Sequence, residues 1–239
     1  EYFTFSWIKK YGPIILRENN NDKMEDELFT EYLQSGIESN QFFFNEKNFK
    51  NTLNSFIKFF TLGVQHIIPK GLDHILFIFG LFLFSASLKK LITQITIFTI
   101  AHSITLIFVS LSLMKINPQI VEPIIALSIV YVGIENIFKN YIKEYFRYIV
   151  ILFFGLLHGL GFALVLSDLG VKSSELFLNL ISFNIGIEVA QISIILVLYI
   201  LIALNFAKRK NYNIFFQVPS SICISSIGLY WFFERINIF

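Results

Sequence analysis

The stretch His66-Ile67-Ile68-Pro69-Lys70-Gly71-Leu72-Asp73-His74 places two imidazoles and one carboxylate around a Pro/Gly break between two apolar runs. Helix breaks at membrane depth free backbone groups and often line ion sites. The same pattern also suits a simpler role, in which Asp73 only stabilises free N–H groups at a helix start. The break therefore predicts an ion site or a capped helix, and Asp73 could also orient His74 for a metal.

The composition places these runs in a membrane. Of the 239 residues, 55% are hydrophobic and 15% are charged, and the mean hydropathy is +0.65. A soluble domain carries about 25% charged residues. The net charge of +2 gives no indication of a nucleic-acid partner. The single Cys223 excludes an internal disulfide framework and a Cys-rich metal site.

The hydrophobic runs predict an all-α integral membrane protein with six transmembrane helices in contact with lipid. We expect these helices near residues 72–88, 91–113, 119–139, 146–167, 176–206 and 214–234. A shorter run at 56–68 predicts an interfacial or re-entrant helix before them. Residues 1–50 hold 9 of the 17 acidic residues, so we expect a polar extramembranous segment there and the membrane domain at 51–239.

Loop charges predict the orientation of the helices. Eight basic residues follow the odd-numbered spans: Lys89, Lys90, Lys139, Lys143, Arg147, Lys208, Arg209 and Lys210. The opposite loops hold mainly Lys115 and Lys172. This asymmetry predicts that residues 1–50 and the C-terminus face outward from a bacterial inner membrane.

All four histidines lie in or beside apolar segments, where an ionisable side chain costs several kcal/mol. His102 is on a polar face of the second span, and three glycines surround His158. Each histidine could merely bond a neighbouring helix carbonyl, and Gly155, Gly159 and Gly161 are expected to pack helices. Imidazoles and carboxylates are nevertheless the groups that bind divalent transition metals. The metal ligands predicted on this basis are His66, Asp73, His74, His102, His158 and Glu188.

Other polar side chains are predicted to line the ion pathway or to support the ligands: Ser103, Glu122, Glu135, Asn136, Asn184 and Gln191. Asn184, Glu188 and Gln191 share one helical face, which suits an ion relay or a protonated Glu188 held by amides. Glu135 lies 13 residues beyond Glu122, roughly 20 Å along one helix. We therefore expect Glu135 at a second, inner site.

Five motifs of this chain, taken in order, resemble the HupE/UreJ family of bacterial membrane proteins, in its HupE/UreJ-like branch. They are 63–67 with 71–77, 98–106, 121–129 with Glu135 and Asn136, 154–163, and 183–188 with Gln191. The resemblance covers about residues 55–200. It implies a multi-pass permease for nickel or cobalt that supplies metalloenzymes such as hydrogenase or urease.

Three functions remain open from the sequence. The first is transport of a divalent ion, Ni²⁺ or Co²⁺ by the resemblance, with Zn²⁺ also suited to the ligands. The second is an intramembrane zinc hydrolase with Asp73 or Glu188 as general base and Ser103 in the pocket. The third is a metal-binding accessory protein without transport.

Overall fold

The computed structural model describes residues 2–3, 14–17, 30–33, 42–43, 46–111, 113–114, 117–168, 176–204 and 211–236. The chain divides into two compact units, Glu1–Leu53 and Asn54–Phe239. Lys115, Lys172 and Lys208–Lys210, on which the predicted orientation partly depends, lie outside the described residues.

The first unit contains four short strands that the all-α prediction did not include. They are β1 (Tyr2–Phe3), β2 (Ile14–Arg17), β3 (Thr30–Leu33) and β4 (Phe42–Phe43). β1 pairs antiparallel with β4, and β2 pairs antiparallel with β3 so that Ile14 is opposite Leu33. The described part of the second unit is helical, as predicted.

The helices are α1 (Glu46–Ile67), α2 (Leu72–Phe84), α3 (Leu88–Ser110), α4 (Pro118–Ile137), α5 (Glu144–Asp168), α6 (Leu176–Leu198) and α7 (Val218–Ile236). A π-helical turn, Tyr199–Ala203, extends α6, and another, Asn213–Gln217, precedes α7. Asn117 starts α4 with its side chain accepting from the Gln119 N–H at 3.1 Å, and Pro118 occupies the first turn.

Several of these helices are long and apolar enough to cross a membrane, so the chain is a multi-pass membrane protein. Four qualify singly among the described residues: Leu88–Ser110, Pro118–Ile137, Phe177–Ala203 and Asn213–Ile236. Thr52–Ile67 and Leu72–Phe84 qualify together as a pair bent by 66°. In α5 the apolar stretch Tyr145–Gly161 is shorter. The described residues thus give four or five spans, and the predicted count of six is not confirmed.

The start of the bundle differs from the prediction. α2 has 13 residues and ends at Phe84, not residue 88. At 1.5 Å per residue it measures about 20 Å, less than the roughly 30 Å of a bilayer core. α1 has 22 residues rather than a short run at 56–68. A separate interfacial helix followed by a full span is therefore not confirmed; the structure shows two helices joined at a bend.

Close backbone approach fixes the bend and the neighbouring helices. A Cβ on Gly71 would collide with the carbonyl oxygen of His66, so the chain can turn here only with glycine. A Cβ on Gly159 would likewise meet the carbonyl oxygen of His102, and one on Gly155 would meet that of Phe98. Small residues on α5 thus let α3 approach closely, as in other membrane helix pairs.

A buried ion pair joins α4 and α5. Arg147 donates through Nη1 to Oε2 of Glu135, and both side chains are fully buried. The guanidinium carbon lies 3.8 Å from the ring centre of Phe84 on α2. Arg147, predicted to be a loop cation, lies in the first turn of α5, inside the bundle.

We predict that Arg147→Leu destabilises the protein by about 3–5 kcal/mol, because it leaves the Glu135 carboxylate buried without its partner. Glu135→Leu combined with Arg147→Leu should restore most of the loss, since no lone charge remains. Thermal unfolding in detergent measures both variants, with exposed Lys143→Gln as control. Equal loss in the single and double variants would contradict this account.

Candidate metal centre

Four imidazoles from four helices meet beside the bend between α1 and α2. The ring centres of His74 and His158 are 4.7 Å apart, and those of His66 and His74 are 4.8 Å apart. The ring of His102 lies 5.8 Å from His66 and 5.9 Å from His74. His74, His102 and His158 are buried. The predicted histidines are therefore brought together inside the apolar bundle.

Asp73 fixes the tautomer of His74. Its Oδ1 lies 2.9 Å from Nδ1 of His74 and accepts the backbone N–H of His74 at 2.8 Å. A carboxylate cannot donate when ionised, so the proton of the neutral ring sits on Nδ1. The lone pair of His74 is then on Nε2. This is the carboxylate–histidine arrangement that orients metal-binding imidazoles.

Ser128 fixes the tautomer of His158 in the same way. The Ser128 hydroxyl donates to the carbonyl oxygen of Ile125 at 2.6 Å, which uses its only proton. Its oxygen lies 3.1 Å from Nε2 of His158 and must accept there. The neutral ring of His158 is thus protonated at Nε2, and its lone pair is on Nδ1.

The two lone pairs face each other. Nδ1 of His158 lies 3.4 Å from Nε2 of His74, and both nitrogens are acceptors in the tautomers just assigned. Two acceptors in contact repel unless a cation lies between them. Two nitrogens each about 2.0–2.1 Å from one tetrahedral metal ion would be roughly 3.3–3.4 Å apart. The spacing therefore suits a shared metal ion.

Asp73, His74 and His158 form a group of candidate ligands whose donor atoms all lie within 4.8 Å of one another. His102 adds a second indication, because neither of its buried ring nitrogens has a hydrogen-bond partner among the described residues. A buried polar atom without a partner costs about 1–3 kcal/mol. Both ring nitrogens of His102 are therefore available to a ligand.

A cavity of about 240 Å³ opens onto the cluster. Its walls are formed by His66, Asp73, His74, Glu122, Ile125, His158, Gly161 and Arg235. Glu122 is exposed, as expected for a residue near the membrane boundary. A Cβ added to Gly161 would lie 2.8 Å from Cδ1 of Ile125, so the two residues are in close contact in the cavity wall.

Glu188 is not brought into this cluster. It lines a separate groove of about 420 Å³ between α3 and α6, together with Ser103 and Asn184. There Thr96 donates to Oε1 of Glu188 at 2.6 Å. Thr99 donates to Oε1 of Gln191 at 3.0 Å, which ties the same two helices together.

Glu135 and Asn136 also lie apart from the imidazoles. Glu135 pairs with Arg147, and Asn136 donates to the carbonyl oxygen of Gly80 at 2.9 Å. Gln217, in the π-helical turn before α7, donates through its side-chain amide to the Asn136 carbonyl oxygen at 3.2 Å. These contacts close the interface of α2, α4 and α5 rather than extend the cluster.

Two residues of the site had no distinguishing signal in the sequence. Ser128 is one of many hydroxyl side chains in apolar helices, and only its bond to His158 sets it apart. Arg235 is a cation in the last turn of a helix, a pattern that is also typical of an interfacial anchor. The fold alone brings both residues to the histidines.

The bundle and the cluster define a multi-pass membrane protein with a buried imidazole–carboxylate cluster. The family model described as HupE / UreJ protein matches residues 40–235, and the chain belongs to this family. The predicted resemblance is thereby confirmed. No curated protein and no solved structure matches the chain.

We predict that His102→Leu stabilises the metal-free protein by about 1–3 kcal/mol, because it removes a buried imidazole without partners. The same variant should lose most of the thermal stabilisation that Ni²⁺ gives the wild type. His158→Leu is the matched control: it breaks the bond to Ser128 and should gain no stability. A metal-free His102→Leu protein that is less stable, yet still stabilised by Ni²⁺, would refute the ligand role.

Proposed function

We propose that this protein is a permease for a divalent transition metal, with Ni²⁺ or Co²⁺ as cargo. The observation that supports this most is the 3.4 Å approach of two imidazole acceptors within a membrane-embedded cluster. Imidazole with carboxylate support suits nickel, cobalt and zinc. The association of the HupE/UreJ family with nickel and cobalt favours the first two.

The broken first span is the second support for transport. In transporters, discontinuous helices often place their ends at the substrate site near the membrane midplane. Here the bend of 66° falls between His66 and His74. We propose that α1 and α2 together cross the membrane once, with the cluster at their junction.

The route proposed here runs from the outer side to the inner side. Residues 1–50 and the C-terminus face outward in this scheme, according to the loop charges. In this scheme Glu122, which lines the cavity, is at its outer end. The buried pair of Glu135 and Arg147 then lies further inward, and we propose that α4 and α5 move apart to release the metal.

The hydrolase alternative has two observations in its favour. The cavity beside His74 and His158 has room for water, which a zinc enzyme would need to activate, and Asp73, one of the two expected general bases, lines it. The other residues expected to complete that chemistry are elsewhere, however. Ser103 donates to the Thr99 carbonyl, and Glu188 accepts from Thr96, both in the α3–α6 groove. An accessory metal-binding role would use the same cluster without flux.

Uptake of Ni²⁺ into proteoliposomes tests transport directly. We expect His102→Ala and His158→Ala each to reduce the initial rate at least tenfold, because each removes a proposed ligand. Ser103→Ala is the matched control, since Ser103 adjoins His102 in sequence but lines the other groove. Equal uptake by all four proteins would refute the permease, and tight binding without uptake would favour the accessory role.

The rate of uptake should fall as the outside pH is lowered. Only the neutral ring binds metal, so protons and metal compete for the same nitrogens. Raising the metal concentration at low pH should therefore restore much of the rate. Uptake that stays constant on acidification until the protein unfolds, at metal concentrations below saturation, would contradict histidine ligation.

A further inference from the structure

The cavity over the histidines has a basic group in its wall. Arg235 on α7 lines it together with Asp73 and Glu122. A site that only had to attract a bare cation would be weakened by a guanidinium nearby. The presence of Arg235 therefore requires a separate explanation.

Contacts on two sides position Arg235. Its Nη1 donates to the backbone carbonyl oxygen of Glu122 at 2.9 Å. Its guanidinium carbon lies 5.6 Å from the ring centre of Trp231, one turn earlier on α7. Within the described part of the chain, Arg235 forms no ion pair with a carboxylate. A guanidinium has five N–H donors, so most of its donor capacity remains for a ligand.

The charges of the cavity also favour a negatively charged ligand. With neutral imidazoles, the lining carries the charges of Asp73, Glu122 and Arg235, one net negative charge. A divalent ion reverses this to one net positive charge. A bound ligand with a single negative charge makes the filled cavity neutral, which a membrane interior favours.

The size of the cavity allows such a ligand. Its volume of about 240 Å³ corresponds to about eight water molecules at roughly 30 Å³ each. A metal ion held by protein nitrogens alone would leave most of that space to other groups.

We infer that the metal is taken up together with a small carboxylate chelator, whose carboxylate binds Arg235 while the histidine cluster binds the metal. Carboxylate is the preferred partner of a planar guanidinium, because two N–H groups can bond its two oxygens. This inference rests on the proposed metal function. It adds the substrate class: a metal complex of an amino or hydroxy acid rather than the free ion.

The test compares two chelators that differ by one carboxylate. L-histidine and histamine both offer an imidazole and an amine, and only L-histidine has a carboxylate. The purified full chain in detergent is titrated with nickel complexes of each. Arg235→Gln should weaken binding of the nickel–L-histidine complex about tenfold, that is about 1.4 kcal/mol, and change nickel–histamine binding less than twofold. Radiolabelled L-histidine should bind one-to-one with nickel and only in its presence.

Two control variants sharpen the comparison. Arg235→Lys retains the charge and should lose less affinity than Arg235→Gln. Lys89→Gln removes an exposed cation in the first turn of α3, away from the cavity lining, and should change neither complex.

Three results would overturn the inference. They are equal weakening of both complexes by Arg235→Gln, binding of nickel from its L-histidine complex with no radiolabelled L-histidine retained, and loss of a copurified anionic phospholipid from Arg235→Gln with chelate binding unchanged. The last result would identify Arg235 as a lipid anchor. Nickel binding that depends on His102 but is equal for the L-histidine and histamine complexes would refute only this inference. The absence of any nickel binding would refute the proposed function as well.

Discussion

Two imidazole acceptors held 3.4 Å apart, Nε2 of His74 and Nδ1 of His158, are the constraint on which the rest of the site depends. Asp73 fixes the proton of one ring and Ser128 fixes the proton of the other. Each of these two hydrogen bonds is common in proteins by itself. Together they leave two lone pairs facing each other inside an apolar bundle, an arrangement that a cation stabilises.

The surrounding fold makes this arrangement possible. The bend after His66 ends one helix and starts the next within nine residues, so His66 and His74 reach one point from two helices. Glycines on α5 let α3 approach until His102 and His158 enter the same cluster. Phe77 and Phe98 pack against the ring of His158, with ring centres 5.6 and 5.1 Å away. The low dielectric strengthens every charge interaction in the site.

The sequence identified the residue types of the site but not all of their positions. Histidines in apolar segments are costly, so their convergence was predictable from composition and depth. Glu188 has the same chemical character, yet its side chain bonds Thr96 in a different groove. Depth along a helix could not reveal this, because it does not give the direction of a side chain around the helix axis. Arg147 shows the same limit: four residues into α5, it pairs with Glu135 inside the bundle. The bend between α1 and α2 was only partly predictable: Pro69 and Gly71 mark the break, but hydropathy does not give the angle of 66°.

The most direct test of the central claim is anomalous diffraction from crystals of the protein loaded with Ni²⁺. The account predicts a nickel peak between the rings of His74 and His158, about 2.0–2.2 Å from the facing nitrogen of each. A nickel peak confined to the α3–α6 groove would contradict it. Fully occupied nickel at any other position, with no peak beside these two rings, would contradict it as well.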